Sequence, residues 1–231
     1  MMAPLDRQLA ARAALLTLLL ASLALLILAF TDEIGSTWGD RLVRLAALAP
    51  ALAGLAAAVL ARQLRARGEA LALALAGASP TRAARGLALG GALVGVPASL
   101  LGVLLAPSLR ALLPVVAASP WIASARGFQA PTLGLRLEPP GGPVQFLDAV
   151  PGATHPPERW VIAAALALAS LLAPWWAALP CPALPRVATG IAATLGAIVT
   201  FHAVALGAPA SLLFLPCALL AAHLRWLTST T

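Results

Sequence analysis

Charge is scarce in this chain: only 10% of its 231 residues are Asp, Glu, Lys or Arg, against 61% hydrophobic residues and a mean hydropathy of +0.94. A chain of this length has too little interior to hide that much apolar surface from water, which excludes a water-soluble globular domain and leaves lipid as the solvent for much of it. Lysine is absent; all fifteen basic residues are arginine, a compositional bias with no chemistry attached. The two cysteines, Cys181 and Cys217, lie far apart with no CxxC and no His/Cys cluster, which argues against a disulfide framework or a zinc site. No P-loop, GxSxG or HExxH occurs, so the chain reads as carrying no catalytic site of its own and needing no cofactor. The net charge of +7 is not gathered on a basic face interleaved with polar and aromatic residues, which argues against a nucleic-acid partner.

What is there is a series of apolar runs. A spanning helix needs about 20 mostly apolar residues at about 1.5 Å each to cross a hydrocarbon core about 30 Å thick. Six segments meet that need: Ala13 to Phe30, Leu42 to Ala61, Gly86 to Ala106, Trp160 to Leu179, Val187 to Leu206 and Ala208 to Leu227. The first follows Arg7 and Arg12 as a signal peptide would, but it is longer than an h-region of about 7 to 15 residues and Thr31-Asp-Glu is a poor cleavage site, so it reads as an uncleaved span. Pro216 makes the sixth the weakest, and Pro97 and Pro174 lie within or near the ends of others. No Asp or Glu falls inside any of the six, which argues against an ion-coupled secondary transporter.

Arginine placement orients the spans. With the N-terminus inside, the inner segments hold Arg7, Arg12, Arg62, Arg65, Arg67, Arg82, Arg85, Arg186 and Arg225 against Asp6 and Glu69, while the outer segments sum to zero. The whole net charge then lies inside, as the positive-inside rule requires, with both termini cytoplasmic. All six tryptophans fall in loops or near span ends, where indole prefers the headgroup region.

The expected fold is an all-α membrane protein with six transmembrane helices in a 3+3 arrangement: a unit over 1–113, a short periplasmic segment over 114–159, and a second unit over 160–231. In the periplasmic segment, alternating Leu133, Leu135 and Leu137, then Pro139-Pro-Gly-Gly-Pro143, then a second short apolar run from Val144, predict a β-hairpin. Gly86, Gly90, Gly91 and Gly95 give small-xxx-small patterns in the third span, read as internal packing. His202, beside Thr200, is the main ionisable group within a span and reads as structural.

The informative stretch is the inner loop over 62–85. Glu69 to Ala76 favours helix, with its acid at the start; Gly77 can cap its end, and Ser79-Pro80 can open the next helix with Ser at N-cap and Pro at N1. A short helix along the cytoplasmic face is predicted, turned sharply into the third span.

The run Glu69-Ala-Leu-Ala72-Leu73-Ala-Leu-Ala76-Gly77-Ala-Ser79-Pro-Thr-Arg82 is similar to the pattern Glu-Leu-x-Ala-Leu-Arg-Ala-Ala-Gly-Ile-Ser-x-x-Arg of the LptF/LptG permeases of lipopolysaccharide-export ABC transporters. Glu69, Ala72, Leu73, Ala76, Gly77, Ser79 and Arg82 match in register, whereas Ala74 stands where the family has a basic residue. The order of three spans, a periplasmic insertion and three more spans is also similar, with the insertion far shorter than the family's jellyroll. The resemblance implies a coupling helix that docks on a separate cytoplasmic ABC ATPase subunit, a second permease subunit as homodimer or heterodimer partner, and a lipid or lipopolysaccharide-like substrate. It further implies a lateral gate at spans one, five and six, a possible periplasmic partner, and a place in the bacterial inner membrane. FtsX/MacB-type permeases carry a related loop pattern, and CcmB-type permeases have six spans and a similar length. A non-transporting membrane assembly or scaffold protein is the alternative from another class.

Overall fold

The fold was obtained as a computed structural model that describes residues 4–31, 37–75, 77–106, 109, 112, 122–124, 127–130, 135–137, 144–146, 159–205 and 208–229. Its helices are α1 (Pro4–Thr31), α2 (Trp38–Ala66), the short α3 (Glu69–Leu75), α4 (Pro80–Leu104), α5 (Arg159–Ala178), α6 (Ala183–Ala205) and α7 (Leu215–Ser229), with a 3₁₀ turn over Ala210–Phe214. Six helical segments are long and apolar enough to cross a membrane, the last being the 3₁₀ turn and α7 together. The protein is a multi-pass, all-α membrane protein.

Each helix departs from its hydropathy run for a local reason. α1 begins nine residues before Ala13 because Leu5 and Leu9 turn inward onto the α4 side while Arg7 and Gln8 face out. α2 begins four residues before Leu42 at a capping box: the Thr37 hydroxyl accepts from the Asp40 N–H at 3.3 Å, and Asp40 Oδ2 accepts from the Thr37 N–H at 2.9 Å. Such a cap contributes about 1 kcal/mol and stops the helix from fraying toward the loop. Pro216 sits in the first turn of α7, where a missing N–H leaves nothing unsatisfied; the 3₁₀ turn before it completes the span.

Helix α4 is the centre of the bundle. It packs on α1, α2 and α5, and α2 also lies along α5, whereas α6 joins mainly α7 and the 3₁₀ turn. The glycines let these backbones meet. A Cβ at Gly90 would overlap the Ala10 carbonyl oxygen of α1; Gly91 and Gly95 lie against Pro174 and Ser170 of α5; a Cβ at Gly102 would stand 2.7 Å from Ala46 Cβ of α2. The small-xxx-small patterns are therefore spent on internal packing, which in lipid is the main attraction between helices. Buried Ser99 and Ser170 add one α4–α5 hydrogen bond, 2.9 Å long.

Two apolar clusters mark the ends of the bundle. One gathers Leu9, Leu64, Leu87, Leu179 and Leu227, so the start of α1 and the ends of α2 and α7 share the α3 end. The other gathers Ala46, Val103, Ile162, Val204 and Leu213. Near it, Arg159 Nη1 donates to the Ala106 carbonyl at 2.7 Å, joining the exit from α4 to the entry of α5.

The segment between them holds more than a hairpin. β3 (Leu135–Leu137) and β4 (Val144–Phe146) pair antiparallel with Leu135 opposite Phe146, as the alternating leucines predict. β1 (Ile122–Ser124) and β2 (Gly127–Ala130) extend them to a four-stranded antiparallel meander in the order β1-β2-β3-β4. This corrects the single hairpin: β1 and β2 hold one large apolar residue each, Ile122 and Phe128, and so lack the alternation that marks β3. The turn 139–143, Trp121 and His155 lie outside the described residues.

Candidate functional site

The loop over 62–85 folds as its residues predict. α2 ends at Ala66, and Gly68, with φ +72°, turns the chain into α3. Nine residues later Gly77 takes φ +81°, its N–H bonding the Ala74 carbonyl at 3.0 Å and the Ala78 N–H reaching back to Leu73 at 2.9 Å. This is a Schellman-type stop, and an L side chain at either glycine would be strained. Ser79 then caps α4, its hydroxyl accepting from the Arg82 N–H at 3.3 Å, with Pro80 opening the helix. α3 is thus a separate element about 10 Å long, hinged on two glycines between two spanning helices.

Of the residues in the motif, the two charged ones each meet an opposite charge on α1, far away in sequence. Glu69 lies 3.9 Å from Arg12 and 3.9 Å from Arg67, while Arg82 lies 3.7 Å from Asp6. Asp6 is the more buried partner, and its Oδ1 makes no hydrogen bond. These contacts are half-exposed and individually weak, so they steer the α3 loop toward the start of α1 more than they stabilise it. Leu73 turns inward, over a cavity of about 160 Å³ lined with Ala61, Leu64, Ala70 and Leu87. Ala72, Gly77 and Ser79 face outward, and Ala76 lies outside the described residues. Sequence matching passed over the outward stripe itself: Leu71 and Leu75, one turn apart, are 65% and 82% exposed in a loop that also carries Arg62, Arg65, Arg67 and Arg85. Their spacing of four was the available signal.

A second feature had no signal in the linear sequence. Because α6 leans on α7 and not on the central helices, an apolar groove of about 600 Å³ opens between α2 and α5 on one wall and α6, the 3₁₀ turn and α7 on the other. Gly54, Leu166, Ala197, Phe201 and Leu213 line it. Its two threonines donate to their own helix, Thr194 to the Gly190 carbonyl and Thr200 to the Gly196 carbonyl, so neither hydroxyl proton is left for a ligand. No Asp, Glu or Arg lines it, and neither does α1, which departs from a lateral gate at spans one, five and six. His202 is exposed on α6 and is not among the lining residues.

Toward the α3 end the groove meets a shallower recess of about 480 Å³ that shares Trp176, Gly190 and Thr194 with it and adds Arg186. Trp176 Nε1 donates to His223 Nδ1 at 3.3 Å, and the His223 ring lies 5.5 Å from that of Trp226. Arg186 Nη2 donates to the Leu179 carbonyl, while its Nε is buried with no partner. No group of three or more His, Cys, Asp or Glu able to hold a metal occurs among the described residues.

Comparison with protein-family models, with curated proteins and with solved structures finds no match to this chain.

Proposed function

We propose that the protein is the membrane permease subunit of an ATP-driven ABC exporter of a lipid or lipopolysaccharide-like substrate in the bacterial inner membrane, with both termini cytoplasmic. The observation that carries this reading is α3: a hinged, outward-facing helix with an exposed Leu71/Leu75 stripe, continuous at one end with α2 and at the other with the central helix α4. A partner that seats on the stripe can push on both spanning helices at once. An apolar stripe in an arginine-rich loop fits a shallow protein groove with an acidic rim, the general form of helix-in-groove recognition. ATP hydrolysis then resides in that partner, a separate cytoplasmic ATPase, coupled through residues 69–82.

Two further features agree with this reading. The groove beside α6 offers mainly apolar contact and no charged side chain, which favours an acyl chain over a hydrophilic cargo. The outward face of α1 (Leu15, Leu19, Leu23) offers apolar surface to lipid or to a second permease subunit, the same or related. The meander leaves β1 and β4 as edges to which a periplasmic partner can add a strand.

The test is affinity purification of the full chain from membranes of its own host, with co-purifying ATPase activity as readout. Activity should accompany the wild type and the control Arg62→Gln, and fall at least tenfold with Leu71→Asp plus Leu75→Asp. Retention by the double variant refutes docking through α3. If no ATPase accompanies the wild type, the transport reading fails and a non-transporting scaffold takes its place.

A further inference from the structure

We infer that the α6 groove is a binding site for one phospholipid with an anionic headgroup, drawn from the leaflet on the α3 side, its acyl chain in the groove and its phosphate at Arg186. This goes beyond the transport reading and does not rest on it, since a lipid can occupy the site whether or not anything is transported.

Three observations converge on this occupant. The first is chemical division along one continuous surface. The deep part is apolar, with Thr200 donating within α6, whereas the mouth carries the guanidinium of Arg186. A ligand that fills both ends must be apolar along its length and an acceptor at one tip. The second is charge. The described ion pairs join Arg12 and Arg67 to Glu69 and Arg82 to Asp6; Arg186 has no carboxylate within 4.0 Å among the described residues, and Arg65 at the end of α2 adds a second positive charge nearby. An arginine there is costly unless it reaches the headgroup level or meets an anion. A phosphate supplies both the opposite charge and a hydrogen-bond acceptor for the guanidinium. The third is length. Arg186 and Phe201 lie at the two extremes of the surface, fifteen residues apart on α6. At about 1.5 Å per residue this is about 22 Å, enough to cover one leaflet of a hydrocarbon core about 30 Å thick together with its headgroup edge. Trp176 sits between the two parts, held by His223, and places an indole where the glycerol backbone of such a lipid would lie.

The test counts lipids on the purified full chain by native mass spectrometry, after delipidation in detergent and incubation with equal amounts of phosphatidylglycerol and phosphatidylcholine bearing identical acyl chains. The wild type should retain one phosphatidylglycerol in at least fivefold preference to phosphatidylcholine. Arg186→Gln should remove the preference, the exposed control Arg62→Gln should keep it, and Ala197→Leu, which fills the groove, should lose the bound copy of either lipid. Equal retention of the two lipids by the wild type, or a preference for phosphatidylcholine, overturns the inference without recourse to any variant. So does an Arg186→Gln chain that keeps the wild-type preference.

Discussion

Gly90 of α4 and Ala10 of α1 approach so closely that a single added methyl at Gly90 would overlap the Ala10 carbonyl oxygen and stand 2.7 Å from Ala13 Cβ. The obstacle is backbone, so a side chain there can be fitted only by moving a whole helix. Gly90→Ala should therefore destabilise the bundle by about 1–3 kcal/mol despite alanine's better helix propensity. Gly196, whose added Cβ would meet only Pro216 Cγ at an ordinary 3.8 Å, is the matched control and should gain up to about 1 kcal/mol as Ala. Reversible unfolding in mixed detergent, read by circular dichroism, separates the two; equal effects would mean α1 does not seat on α4 as described.

The Ser99–Ser170 pair makes a narrower prediction. Each hydroxyl is fully buried and the other is its partner across 2.9 Å. Removing one should cost about 0.5–1.5 kcal/mol, and removing both should cost less than the sum of the two single changes, because no hydroxyl is then left unpaired. A double-mutant cycle on unfolding free energies gives the coupling directly; strict additivity would show that the bond contributes nothing.

Gly77 should be intolerant in a way that Ala72 is not. At φ +81° an alanine costs about 1–2 kcal/mol, whereas an asparagine, which enters this region more readily, should cost less. With nothing within 4 Å of a Cβ at Gly77, the loss is conformational and not steric. Faster proteolysis of the 62–85 loop in Gly77→Ala, intermediate in Gly77→Asn and unchanged in Ala72→Ser, is the expected order.

Orientation is open to a direct check. In a chain with Cys181 and Cys217 replaced by serine, a single cysteine introduced at Arg67 should be shielded from a membrane-impermeant maleimide in intact cells, and one at Trp160 should react. Both residues are exposed to solvent and lie at opposite ends of the bundle. The reverse pattern would invert the topology that the arginine count implies.

Much of this fold was legible because its signals are local. Hydropathy located six spans, Gly77 and Ser79-Pro80 announced both ends of the turn after α3, and Leu135 with Leu137 announced β3. The Thr37–Asp40 capping box was equally legible as a Thr followed three residues later by an acid, and was passed over only because hydropathy counts apolar residues and not helix ends. What the sequence could not yield depends on distant segments meeting. Asp6 and Arg82 are 76 positions apart, so nothing local links them. The groove exists because α6 leans toward α7, a matter of packing angle to which hydropathy is blind.

The bond from Arg159 to the Ala106 carbonyl has a consequence for how the molecule can change. The chain between those two residues begins and ends at one fastened point, with Leu109 and Leu112 still packed on the cluster around Val103 and Ile162. The closure of that long detour is borne by two helices already packed along their length, and lengthening it further costs little, since the entropy of closing a loop grows only with the logarithm of its size. A whole folded domain or a reporter protein grafted between Leu112 and Arg159 should therefore leave the six helices undisturbed, as insertions between neighbouring chain ends generally do.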